Sequence, residues 1–509
     1  MREAGRRDGV QTHGFPASAA LFEAKSRNRY TAPMLFAAVL CVRIVYVCLF
    51  ASSTPFWDQW DAEADLLLRP WVEGTWTLQG LFSPHNEHRV VLSRLLLLLL
   101  FGANGQQWDN LVEACASAVV FAASMALLYA LLCRGERHRS IRWAMFIVAL
   151  VIAALPFGWE NFLVGFQNQF YFMTAFALGS VGVVAYRPLG RVTLLVAIVL
   201  AVGSLFTMAS GLVASVAALV VVLMRNLRER VRPATLLAFV ACLGAVCLTG
   251  LLILPDVPPH AVFRANGVGE HLAALATILM WPLQPIDPAS MHWRFYWRAF
   301  FALAMWTPAG IWLLRFARRR VATENELFAA GMAVWVLLQA LAIAHSRGHE
   351  IVAVTSRYSE ILAIGVLVNI WFALRMIGMA SIGRRSSRRA WIGAAAYLVV
   401  VAYAFALRTP LDVRAMVDRS DAMKLQTRNV RAYVSSGDVR HLQQPFFQIP
   451  YPDAERLRSL LDNPTIRAML PASIHAPLPN GAAAPVGRLS NDAQQLQRFV
   501  RNAVHLAGE

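Results

Sequence analysis

Between its first strongly apolar segment and its second, the chain carries Pro55-Phe56-Trp57-Asp58-Gln59-Trp60-Asp61-Ala62-Glu63 and then Pro84-His85-Asn86-Glu87-His88-Arg89. Carboxylates crowded just beyond an apolar helix can take a proton from a hydroxyl or hold a divalent cation. Asp58 and Asp61 stand three apart, as do His85 and His88, so in a helical segment each pair would share one face. The plainer alternative is an Asp acting as a helix N-cap, with Trp57 and Trp60 as interfacial anchors. Two imidazoles and Glu87 are a sufficient donor set for zinc, but H-x-x-H lacks the H-E-x-x-H spacing of zinc peptidases. The same groups can hydrogen-bond a sugar or a phosphate, so a divalent metal ion is compatible here without being specified. Arg89 beside them suits an anion, which arginine grips with two parallel donors.

Three further polar islands interrupt apolar sequence. Gly158-Trp159-Glu160-Asn161 and Gln167-Asn168-Gln169 bracket a turn without Lys or Arg. Amides beside a stacking aromatic suit a carbohydrate, and they equally suit the capping of two helices. His345-Ser346-Arg347-Gly348-His349-Glu350 and Ser356-Arg357-Tyr358-Ser359-Glu360 flank another turn. A charge at the edge of an apolar segment is costly and commonly functional, so Arg347 or Arg357 is expected to hold an anionic group, the alternative being snorkelling to lipid headgroups. Arg43, inside the first apolar segment, calls for an acidic partner that local sequence does not name.

The elements that must position these residues are membrane helices. The 509 residues are 57% hydrophobic and only 15% charged, which excludes an ordinary soluble enzyme and defines an all-α polytopic membrane protein. Eleven segments approach the roughly 20 apolar residues of a crossing: 33–51, 109–132, 142–157, 168–186, 192–208, 210–224, 234–254, 296–315, 325–345, 357–376 and 390–407. The fifth and sixth are short and could form a hairpin that does not fully cross. With the N-terminus cytoplasmic, the cytoplasmic segments hold 25 Lys and Arg and the opposite loops 7. That asymmetry accounts for the net charge of +17 as topology, without nucleic acid. It also places the C-terminus outside. The six cysteines lie in apolar stretches or at their ends and include no C-x-x-C, so they read as fillers.

Residues 1–32 form a basic cytoplasmic leader, 33–407 a transmembrane core, and 408–509 a soluble extracytoplasmic segment. In the first outer loop (52–108), an interfacial helix is expected over Asp61–Leu81, and the leucine-rich stretch His88–Gly102 is too short to span. The proline-rich loop 255–294 is expected to exclude a long helix. Asp412–Ser436 reads as a polar helix, and Asp453 as the N-cap of a shorter one.

The succession of a first crossing, acidic Asp58/Asp61, an interfacial helix, and a proline-led stretch from Pro84 ending Leu100-Phe101-Gly102-Ala103-Asn104 resembles the GT-C superfamily of polytopic glycosyltransferases. That superfamily includes the protein mannosyltransferases, aminoarabinose transferases and arabinosyltransferases. Many of its members carry adjacent acids, whereas Gln59-Trp60 separates the two here. His-Asn-Glu-His-Arg is not one of its general signatures. The resemblance implies a membrane glycosyltransferase at the outer face of a bacterial inner membrane. Such an enzyme would move sugar from a polyprenyl-phosphate donor to a glycan, lipid or protein acceptor. It implies Asp58, or else Asp61, as catalytic base; Glu63, His85, Glu87, His88, Arg89, Trp159, Glu160, Asn161, Gln167, Arg347, Arg357 and Tyr358 are the residues expected to bind substrate. Two other readings use the same groups: a flippase for a lipid-linked saccharide, and a metal-dependent hydrolase or phosphotransferase centred on His85, Glu87 and His88.

Overall fold

A computed structural model describes residues 30–136, 138–283, 295–349, 351–380 and 386–475. Most of the basic leader, the end of the C-terminal segment, and Pro285 and Pro288 lie outside the described residues. Each of the eleven apolar segments coincides with a helix. In order these are α1 (Thr31–Phe50), α3 (Asn110–Leu132), α4 (Arg139–Ala154), α5 (Asn168–Tyr186), α6 (Arg191–Leu205), α7 (Val213–Glu229), α8 (Pro233–Leu252), α10 (Phe295–Arg319), α11 (Glu324–Arg347), α12 (Ser356–Ala380) and α13 (Ser386–Ser436). Two shorter helices join them, α2 (Val91–Ala103) and α9 (Val268–Leu279). Among the described residues nine helices are long and apolar enough to cross a bilayer, and ten when α4 and the segment Pro156–Leu163, bent 41° from it, count as one broken span. The eleventh, α6, has 15 residues. At about 1.5 Å per residue it falls short of the roughly 30 Å hydrocarbon core. The chain is an all-α polytopic membrane protein.

Lipid-exposed helices lack a hydrophobic drive to associate, so their contacts rely on small residues that admit close approach. Ala177, Ala197, Ala201, Ala214, Ala217 and Ala218 are fully buried between α5, α6 and α7. At Gly331 of α11 an added Cβ would lie 2.5 Å from Val221 and 2.6 Å from Val181. Arg43 finds its partner across the bundle: its guanidinium lies 2.8 Å from Glu360 of α12, between the rings of Phe121 and Phe162.

At one end of the bundle the 52–108 segment and the C-terminal segment share a second core. Trp60, Leu67, Leu97, Phe101 and Trp108 pack with Val430, Tyr433, Leu457, Leu461, Ile466 and Leu470. The expected helix over Asp61–Leu81 is a π-helix, Trp60–Leu68, continued by an α-helical turn only to Val72, after which Gly74 reverses the chain at φ +71°. The polar helix expected over Asp412–Ser436 is the uninterrupted extension of the last crossing within the 51-residue α13. Within the proline-rich loop, α9 fits because Pro255, Pro258, Pro259 and Pro282 all fall outside its twelve residues. Asp453 caps α14 (Ala454–Asp462), as its position suggested, by accepting the Arg456 amide.

Candidate active site

The chain leaves α1 and turns at Trp57, whose φ of +50° is held by its N–H donating to Pro450 O at 2.7 Å. Asp58 follows, ahead of the π-helix. His85 and His88 are not on a helix. They close a tight turn, each N–H donating to the other's carbonyl at 2.8 and 2.9 Å, around Asn86 at φ +50°, a left-handed conformation that asparagine tolerates. This turn sets His85 Nε2 3.6 Å from Asp58 Oδ1. The Asp58 side chain is 38% exposed. Its recess raises its pKa, but contact with His85 and the positive charge of Arg357 outweigh this and hold it below the usual carboxylate range. Asp58 is therefore ionised at neutral pH.

His88 points the other way. Its Nδ1 accepts the Ala209 N–H at 3.2 Å, and burial pushes its pKa down to about 4, with His85 and Arg347 lowering and Glu87 and Asp58 raising it. Glu87 faces His260 at 2.6 Å and Arg347 at 3.6 Å. Burial works against its charge, yet the hydrogen bond with His260 and the charge of Arg347 hold its pKa at about 2. With Glu87 turned to His260 and His88 Nδ1 taken by a backbone amide, H-x-x-H does not assemble as a metal site. Among the described residues no three His, Cys, Asp or Glu side chains converge to hold an ion.

On the far side of Asp58, Pro156–Leu163 breaks the line of α4 and presses against α12. Gly158 makes the approach possible, because a Cβ there would meet Glu360 at 2.4 Å. Glu160 accepts the Arg357 N–H at 3.0 Å and pairs with its guanidinium at 3.4 Å, while Asn161 donates to Arg357 O and to Glu360. Tyr358 packs edge-on to Phe170, and Trp159 lies partly buried among Tyr46, Phe50, Met416 and Met423. Gln167 is half-buried at the following turn.

Asp58, His85, His88, Glu160 and Arg357 thus come together, with Glu87 and Arg347 on the flank. Asp61, Glu63 and Arg89 do not. Asp58 turns to His85 and Asp61 to the C-terminal segment, so the two do not share a face. Asp61 binds Tyr451 at 2.5 Å and Arg456 at 2.8 Å, and Asp65 joins it on Arg456 at 2.6 Å. Glu63 is buried, accepting from Gln59 Nε2 and Trp108 Nε1 at 3.0 Å each. The Gln59 amide also reaches Glu113 at 3.4 Å. Burial pushes the Glu63 carboxyl up to about 7, against hydrogen bonds with Trp108, Glu113 and Gln59. Arg89 donates to Phe82 O and Ile253 O, so its guanidinium staples backbone.

Sequence reasoning missed His260, Gln59, Glu113 and Arg419. Nothing local flags them, since each acquires its setting from a residue distant in the chain.

No family model matches the chain, and no curated protein matches it. Among solved structures the chain is similar to an archaeal oligosaccharyltransferase, AglB from Archaeoglobus fulgidus, solved with an inhibitory peptide and a dolichol-phosphate. The identity is 12% and the TM-score 0.48, over 90% of this chain and 62% of that one. This chain therefore spans under two thirds of that protein's length.

Proposed function

We propose that the protein is a membrane glycosyltransferase of GT-C type that transfers a sugar from a polyprenyl-phosphate donor to an acceptor hydroxyl outside a cytoplasmic membrane. The observation that carries this reading is Asp58, an ionised, partly exposed carboxylate flanked by His85 and Arg357 where the bundle meets its polar loops. A base there takes the acceptor's hydroxyl proton as the acceptor oxygen bonds to the anomeric carbon. The bond from that carbon to the phosphate oxygen breaks, and the lipid phosphate leaves as an anion. General-base assistance contributes roughly 10²–10⁴-fold, and fixed cations such as Arg357 and Arg347 stabilise the departing charge without reorganising. His85 steadies the carboxylate.

A lipid-borne donor also has a route. A cleft beside short α6 is lined by Leu205, Gly250, Ile253 and Leu254 on its apolar side and by Glu87 and Arg89 on its polar side. A chain lying in that cleft would bring its phosphate toward Arg347.

Asp58→Asn is expected to lower sugar transfer in membranes by two orders of magnitude or more. Asp61→Asn should retain most transfer, since Asp61 is engaged with the C-terminal segment. Transfer unaffected by Asp58→Asn would end this assignment.

A further inference from the structure

Among the described residues, three of the four buried arginines face a carboxylate or backbone carbonyls, and one does not. Arg43 meets Glu360, Arg225 meets two carbonyls and Glu229, and Arg94 donates to three carbonyls. Arg419 of α13 is 7% exposed, and neither Nη1 nor Nη2 has a hydrogen-bond partner. The guanidinium lies 3.6 Å from the centre of the Phe56 ring and 5.9 Å from that of Phe447. Glu160 is the carboxylate whose charge reaches it, and that group is engaged by Arg357. A buried charge without hydrogen bonds is destabilising, so its presence calls for a purpose other than stability.

A second observation concerns the segment that closes over it. Phe447 has φ +70°, a conformation rare for a bulky residue and commonly kept where strain serves function. It is imposed from outside: Gln426 donates to Phe447 O at 2.9 Å and Asn429 to Gln448 O at 2.7 Å. Phe446 meets Trp57 edge-on at 5.1 Å, and Phe447 lies parallel to Phe56. The strained aromatic therefore stands beside an unsatisfied cation, whose nearer ring neighbour, Phe56, is two residues from Asp58 in the chain.

We infer that Arg419 is a seat for a phosphoryl oxyanion, and that Phe447 is its cover, displaced when the anion binds. Two terminal nitrogens of one planar guanidinium match two oxygens of one phosphate. The inference rests on the glycosyltransferase reading only for where the phosphate comes from: a lipid carrier or a soluble phosphorylated compound.

The test measures binding, not turnover. Inorganic phosphate and a polyprenyl phosphate are titrated into purified full-length protein in detergent, as wild type, Arg419→Gln, Phe447→Ala and the remote control Arg440→Gln. Arg419→Gln should weaken binding about tenfold or more, the loss expected of a charged hydrogen-bonding partner. Phe447→Ala should tighten it several-fold, and Arg440→Gln should leave it unchanged. Thermal stability of Arg419→Gln should equal or exceed wild type, because an uncompensated charge is removed. Should Arg419→Gln fail to fold, the tightening in Phe447→Ala decides. Tight binding of polyprenyl phosphate alone identifies a lipid source, and equal binding of inorganic phosphate a soluble one. Wild type binding neither probe, Phe447→Ala binding no tighter, or Arg419→Gln binding both as wild type does, overturns the seat. Asp58→Asn retaining transfer overturns the enzyme reading and leaves these binding results standing.

Discussion

Asn86 decides the candidate site's geometry more than either histidine beside it, because its left-handed backbone lets His85 and His88 leave the turn in different directions. One imidazole meets Asp58; the other anchors to Ala209. Glu63 shows the same dependence on surroundings, and its consequence can be measured. It holds its proton to about pH 7, whereas an unfolded chain releases a glutamate proton near pH 4.3. Between those values the native state binds more protons than the unfolded one, so the stability Glu63 contributes is present at lower pH and is lost as pH rises through about 7. Glu63→Gln cancels that slope. The melting-temperature difference between variant and wild type is expected to move in the variant's favour across that window and level off above it, an effect on the order of a few kcal/mol. Thermal unfolding in detergent over a pH series checks it, and a difference constant with pH would show an ordinary glutamate. The sequence marked Asp58, His85 and Arg357 because scarce charged residues stand out against apolar surroundings. It could not separate Asp58 from Asp61, since that distinction is made by Tyr451 and Arg456, almost 400 residues later in the chain.

The elements whose pattern is local were legible: each of the eleven apolar segments is a helix, and the Asp453 cap lies where its spacing placed it. The elements that depend on distant partners were not. Nothing in Trp60–Leu68 announces a π-helix, a form that recurs at functional sites. Nor does a change to polar composition after residue 407 reveal that α13 continues unbroken, since composition records solvent contact and not helix ends. The docking of the C-terminal segment depends on Arg456 bridging Asp61 and Asp65, with α14 and α15 (Pro464–Met469) packed on the same core. Exposed ion pairs contribute little singly, but this one is a bidentate network over a shared core. Arg456→Ala is therefore expected to loosen the segment without unfolding the bundle. Limited proteolysis should then cut between residues 437 and 475 several-fold faster than in wild type, while the membrane portion stays intact. Cleavage at the wild-type rate would mean that the apolar core holds the segment unaided.

For the molecule as a whole, charge and helix length jointly govern where the site lies. Basic residues gather at the turns opposite the 52–108 segment, as at Arg134, Arg139 and Arg142, then Arg187 and Arg191, then Arg225, Arg228 and Arg230. The turns at the other end hold the candidate site. On the positive-inside rule the site is expected to face away from the cytoplasm, as the proposed reaction requires. Short α6 is followed by the turn at Ala209, whose N–H donates to His88 of the polar loop. The orientation is open to a direct check in a bacterial host. A phosphatase reporter that matures only outside the cytoplasm, fused after Gly190, is expected to be inactive. The same reporter fused after Ala265 or Gly437 should be active. Helix count ties the three results together, since an even number of crossings between Gly190 and either of the other positions would give all three the same sign. An active fusion at Gly190 with silent fusions at Ala265 and Gly437 would invert the protein, turning Asp58 toward the cytoplasm and removing the donor and acceptor compartments that the proposed reaction requires.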